Sequence, residues 1–241
     1  FPYTTLFRST KTILNSTMSF IKKYSPLYLA LLFHVTGLLG ILCTPYKNWF
    51  VNSTPLVLLT MFILLSNTHI KYIKAYSLFF LIAFIIGMST EIIGVNTGLL
   101  FGHYQYGKVL GPKIFGVPFL IGLNWFVIVF CSGTLLTQCI DLLQRKWNVN
   151  IAKSASTVFI VVGGAAITTC FDFILEPVAV KLDFWSWENG QIPVFNYACW
   201  FIISAILLIV KMYLKKISVN SFATSLLFIQ AVFFLLLNLF L

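Results

Sequence analysis

Long apolar runs separated by short polar connectors constrain this chain more than any other feature. A helix needs about 20 such residues to cross a hydrocarbon layer of roughly 30 Å. Seven runs are legible: near Pro26 to Cys43, Pro55 to Asn67, Ala75 to Val95, Phe115 to Ile140, Thr157 to Leu175, Tyr197 to Leu214 and Asn220 to Leu241. The second is short. It extends toward His69 and Ile70 or, in an alternative six-span reading, it is re-entrant. With 59% hydrophobic and 9% charged residues and a mean hydropathy of +0.95, the composition is far from that of a water-soluble domain, which is about 25% charged. The expected fold is an all-α polytopic transmembrane bundle of about seven spans, forming one domain over residues 18–241.

The first nine residues, FPYTTLFRS, fit neither a signal peptide nor a helix. They match a translated reading frame of a common sequencing-library adapter, so residues 1–17 are expected to be a scar plus a disordered start, with Met18 as the natural first residue. Lys22 and Lys23 then precede the first span. The net charge of +10 comes from sixteen Lys and Arg dispersed through connectors. They form no stripe with interleaved aromatics, so nucleic acid is not an expected partner. One side of the membrane collects Lys22, Lys23, Lys71, Lys74, Arg145, Lys146, Lys153, Lys211, Lys215 and Lys216, and the other only Lys47, Lys108, Lys113 and Lys181. Basic loops are retained in the cytoplasm, which places the N-terminus there.

Five of the six acids, Glu91, Asp172, Glu176, Asp183 and Glu188, then fall at or beyond the outer ends of spans three and five. Asp141, beside Arg145 at a cytoplasmic helix end, is the exception. A carboxyl within a span costs about 2.5 to 3.5 kcal/mol on insertion scales and is expected to face the bundle interior. In FDFILEP, Asp172 and Glu176 lie one turn apart on one helical face, and Pro177 is expected to end the regular helix. An internal echo joins the two regions. Tyr104 and Tyr106 follow Glu91 at the same intervals at which Trp185 and Trp187 follow Asp172, and Pro, Asn and Trp come next in both: Pro118, Asn124, Trp125 and Pro193, Asn196, Trp200. Two similar half-sites around one cavity would produce this order; so would chance in an aromatic-rich chain.

Three carboxyls sharing one low-dielectric site do not all ionise, and one that keeps its proton can act as a general acid. The competing reading is that the acids cap helix ends and pair with Lys108, Lys113 or Lys181, while His103, Tyr104, Tyr106, Trp185, Trp187 and Trp200 form an interfacial belt. Asn124 and Asn196 argue for a pocket, because a belt needs no buried amides. Gly94 and Gly98 read as a close-packing step, and His34 and His69 as structural. The five cysteines form no CxxC pair and no histidine stands at metal-ligand spacing, so no metal site is expected. P-loop, GxGxxG, HExxH and GxSxG patterns are missing, which removes the usual signatures of nucleotide-driven transport, dehydrogenation, zinc proteolysis and serine hydrolysis.

The run from Glu91 and Gly94 through FGHYQYGKVLGP to GVPFLIGLNW resembles the carotenoid biosynthesis membrane family of bacteria and archaea. So does FDFILEPVAVKLDFWSWENGQIPVFNYACW. The two blocks cover roughly Glu91 to Trp200. Gly190 and Gln191 stand where the family has an aromatic Tyr-Gly step, and Cys199 where a glycine is usual, which leaves the substrate end group open. The resemblance implies an enzyme of a prokaryotic inner membrane that adds water across the terminal alkene of an acyclic carotenoid end group. Carotenoid and membrane lipid would be its partners, together with other enzymes of the pathway, and no cofactor would be needed. Such chemistry assigns Glu91, Asp172 and Glu176 to proton donation and water activation. It assigns His103, Tyr104, Tyr106, Asn124, Trp125, Trp185, Trp187, Asn196 and Trp200 to substrate binding. Another isoprenoid-modifying enzyme (an isomerase, cyclase or prenyltransferase) and a carotenoid or lipid carrier stand as alternatives.

Overall fold

A computed structural model describes residues 24–68, 73–214 and 220–241. The expectations for residues 1–17, for Lys22 and Lys23, and for an extension of the second span to His69 and Ile70 lie outside the described residues. Among the described residues, six helices are long and apolar enough to cross a membrane. They are α1 (Tyr24–Cys43), α4 (Ile73–Thr97), α5 (Phe119–Trp147), α6 (Lys153–Lys181), α7 (Val194–Tyr213) and α8 (Ser221–Phe240). Between α1 and α4 lie a short α2 (Lys47–Asn52) and α3 (Thr54–Asn67). With 14 residues, α3 is about 21 Å long at 1.5 Å per residue. It still runs from one end of the bundle to the other. Thr54 lines a cavity beside Leu110 and Phe184 of the outer connectors, while the Thr68 carbonyl after its last turn accepts a hydrogen bond from Asn220 at the start of α8.

Helix α5 is the axis of the bundle. Of its most apolar window 78% is buried, against 22% for α1. Its Phe126 and Phe130 pack with Phe62 of α3 and with Tyr76, Phe79 and Phe80 of α4 through tilted and edge-on ring contacts. The expected start at Phe115 moves to Phe119. Phe115 and Gly116, both at positive φ, form the two-residue turn of a hairpin between β2 (Lys113–Ile114) and β3 (Val117–Pro118). Such a turn takes positive φ at both central positions. Pro118 then serves as N-cap.

Pro177 does not end its helix. Helix α6 continues to Lys181 with Pro177 inside, because Val178 and Ala179 are completely buried and packing compensates for one missing backbone donor near a helix end. Two outer connectors meet as an antiparallel ribbon of β1 (Tyr104–Tyr106) and β4 (Trp185–Trp187), with Tyr104 opposite Trp187 and Tyr106 opposite Trp185. This ribbon forms the lid of the site.

Candidate active site

Glu91, on α4 and 4% exposed, accepts three hydrogen bonds. The Tyr104 hydroxyl donates to Oε2 at 2.5 Å and that of Tyr106 at 2.6 Å, while the Trp125 indole donates to Oε1 at 2.8 Å. Two glycines create this approach. A Cβ on Gly87 would lie 2.7 Å from the Trp125 ring, and one on Gly94 would lie 2.9 Å from Phe101 and 3.0 Å from the Tyr104 hydroxyl. Gly94 therefore admits the returning outer loop, where a helix neighbour was expected. Burial, reinforced by the Glu91 carboxyl, pushes the Tyr104 and Tyr106 phenols above the ordinary tyrosine range, so both remain hydrogen-bond donors.

The second half-site stands on α6. Glu176, 2% exposed, accepts at Oε2 from the indoles of Trp185 (2.9 Å) and Trp187 (2.8 Å), and at Oε1 from Asn196 Nδ2 at 3.3 Å. The Asn196 amide also donates to Asp172 Oδ2 at 2.8 Å. Asp172 is 1% exposed, and its Oδ1 has no partner among the described residues. The partners of the three carboxyls are phenols, indoles and an amide. Among the described residues the lysines of the competing reading do not supply them: the Lys113 ammonium donates instead to the Tyr106 carbonyl.

The sequence echo is visible in space with one correction. Spacing equates Asp172 with Glu91, yet it is Glu176 that holds the indole pair as Glu91 holds the phenol pair. The two aromatic pairs face each other across the ribbon, with Tyr104 5.0 Å from Trp187 and Tyr106 5.8 Å from Trp185. Trp125 and Trp200 stack face to face at 3.8 Å and 11°.

These groups enclose a polar cavity of about 20 Å³ lined by all three acids, Asn124 and Asn196, Tyr104 and Tyr106, and the four tryptophans 125, 185, 187 and 200. That is room for about one water. Of the candidate residues, His103 alone falls elsewhere: it is exposed, its carbonyl accepts from the Glu188 backbone, and it lines a shallow outer depression. Asn124, Ile121, Leu175 and Trp185 also border a second, almost wholly apolar cavity of about 90 Å³ enclosed by α1, α3, α5, α6 and α8. His34 and Phe233, packed edge to face at 5.3 Å, separate it from a groove of about 240 Å³ between α1 and α8. The groove, the apolar cavity and the acid cavity thus lie in series from the helix surface to the acids, each sharing wall residues with the next.

Sequence reasoning passed over three residues. His34, taken as structural, borders both the groove and the apolar cavity, although Nδ1 does donate to the Ala30 carbonyl at 2.7 Å. Gln230 borders the apolar cavity, buried, with Oε1 unpartnered among the described residues; a lone amide within an apolar run was its only signal. Cys199, off the family pattern, accepts a hydrogen bond from the Phe101 backbone at 3.4 Å and ties the outer loop to α7.

Residues 51–241 match the family described as carotenoid biosynthesis protein. Over 120 residues the chain is 30% identical to the bisanhydrobacterioruberin hydratase of Haloarcula japonica, a stretch covering 48% of this chain and 38% of that protein. The matched part is thus well under two thirds of that relative. No solved structure matches the chain.

Proposed function

The chain belongs to the carotenoid biosynthesis protein family and is a multi-pass membrane protein, and from that premise we propose that it adds water to the terminal double bond of an acyclic carotenoid end group. The observation that carries the reading is a one-water cavity walled by carboxyls and aromatic rings and adjoining a larger apolar cavity. The hydratase name of the Haloarcula japonica relative supports the same reaction.

Three donors converge on Glu91 and three on Glu176, so that both oxygens of each carboxyl are occupied. Asp172 accepts one hydrogen bond and keeps Oδ1 unpartnered, so it is the group fitted to carry a proton. In the proposed reaction the Asp172 O–H bond breaks and its proton joins the less substituted alkene carbon, leaving a tertiary carbocation and an aspartate. The stacked Trp125 and Trp200 and the Tyr104–Trp187 pair present π-faces to that cation. Water held by Asn124 adds its oxygen to the cationic carbon, and its surplus proton returns to the Asp172 carboxylate. One water is consumed, and no electron changes hands. Both oxygens of Glu176 are occupied by indole and amide donors, which favours proton chemistry over the shared metal–diphosphate site of a prenyltransferase.

A polyene lives within the bilayer, and the α1–α8 groove gives it lateral access past His34 and Phe233. The expected location is the inner membrane of a prokaryote, beside other enzymes of the pathway. Expression in cells that accumulate lycopene or γ-carotene tests the reading: pigments heavier by one water are expected. Pigment retained by the purified protein without such a product would instead identify a carrier.

A further inference from the structure

The opposite end of the bundle holds a second charged group within a span, and the proposed reaction makes no use of it. Lys211, near the end of α7, is 9% exposed. Its ammonium donates to the Thr134 hydroxyl at 3.2 Å and lies 5.1 Å from the centre of the Phe130 ring. Those contacts offset desolvation in part, but neither neutralises the charge. Five of the six acids sit at the other end of the molecule, and Asp141 lies on α5 two turns beyond Thr134. A buried ammonium of this kind calls for an anion.

The space beside Lys211 is shaped for one with a tail. A groove of about 750 Å³ opens between the first turns of α6 and the last turns of α7. Lys211 and Lys153 both border it, with the Lys211 ammonium set behind its wall against Thr134 and Phe130, and Thr157 adds a hydroxyl. Its walls include Val158, Val162 and Ile209, which are 60%, 50% and 43% exposed. A charged head region followed by open aliphatic wall matches an anionic amphiphile, and basic grooves between spans are where anionic headgroups bind. A lysine simply extending its stem toward the interface would place its head in water; this one is covered.

We propose that the α6–α7 groove binds the phosphate group of an anionic membrane lipid, with Lys211 as the buried counter-charge, Lys153 at the rim and the lipid chain along Val158, Val162 and Ile209. The proposal is independent of the reaction at the other end. Native mass spectrometry of the detergent-purified full chain, offered phosphatidylglycerol and phosphatidylcholine at equal concentration, tests it. Wild type is expected to retain the anionic lipid at least tenfold over the zwitterionic one. Lys211→Met keeps the stem and loses the charge, and should bring the ratio to near one, while Lys211→Arg should keep most of the preference. Val162→Trp fills the exposed wall without touching the buried charge and should lower retention of both lipids at least threefold. Millimolar inorganic phosphate, which has no chain, should displace little lipid; efficient displacement would overturn the lipid assignment in favour of a soluble phosphate. An unchanged ratio in folded Lys211→Met, or no preference in wild type, would overturn the site altogether.

Discussion

The two half-sites of the acid cavity are built alike and finished differently. On α4, Glu91 faces two phenols and an indole, and every oxygen is engaged. On α6, the corresponding wall carries two acids one turn apart. Glu176 takes the role of Glu91 by holding an aromatic pair, and Asp172 is left with one amide partner and an unpartnered oxygen. The two halves thus differ by one carboxyl. Under the proposed hydration the difference separates two tasks: the saturated carboxyls fix the aromatic walls, and the under-coordinated acid is available to move a proton.

Substitutions that treat the halves unequally should break or sharpen this contrast. Asp172→Asn keeps the shape and the acceptor for Asn196 but removes the transferable proton. Hydration rate in membranes is expected to fall by about 10²-fold or more, the low end of what general acid catalysis contributes, with the melting temperature little changed. Glu91→Gln should do the reverse. The glutamine amide nitrogen cannot accept a hydrogen bond, and a buried donor left without its acceptor costs about 1–3 kcal/mol, so a lowered melting temperature is expected, with activity of the folded fraction reduced about tenfold. Equal kinetic losses in the two variants would contradict the division of labour.

Gly87→Ala probes the α4 half from behind. The added methyl meets the Trp125 ring, and forcing an extra carbon into a packed core costs about 1–3 kcal/mol, measurable as a loss of thermal stability together with altered tryptophan fluorescence. The smallest effect concerns pH. Burial and Glu91 raise the Tyr104 and Tyr106 phenols, so at alkaline pH the folded state keeps protons that the unfolded chain releases. Their contribution to stability is complete below the unfolded tyrosine value of about 10 and declines as pH rises through it. Ultraviolet titration of Tyr104→Phe and Tyr106→Phe against wild type should show no phenolate lost between pH 9 and about 10, because neither phenol ionises there in the folded protein.

Much of this architecture was legible in the sequence, for physical reasons that can be named. Apolar runs of bilayer length define helices whatever their neighbours, so the long spans were recovered to within several residues at each end. The acids, the aromatic pairs and the two asparagines stood out because a bilayer tolerates such groups only inside a bundle. Partner choice was not legible. Spacing matched Asp172 to Glu91, whereas the hydrogen bonds match Glu176, because the α6 helix runs on through Pro177 and brings Glu176 under the ribbon. His103 lies in the loop that leaves α4 at Gly98, which has positive φ, and it ends outside the cavity. Gln230 and His34 sit in apolar runs where only packing against α1 and α8 shows what they border. Lys211 was counted among connector charges because a lysine near a helix end is normally interfacial; only the fold shows it covered.

The central claim is that water itself, delivered at the acid cavity, becomes the hydroxyl of a carotenoid end group. Isotope tracing in membranes supplied with lycopene or γ-carotene, in water enriched in both ¹⁸O and deuterium, tests it most directly. The account predicts a product carrying one ¹⁸O on the tertiary carbon and one deuterium on the adjacent carbon, formed by wild type and nearly abolished in Asp172→Asn. Oxygen drawn from O₂, or undiminished product from the Asp172→Asn protein, would contradict it.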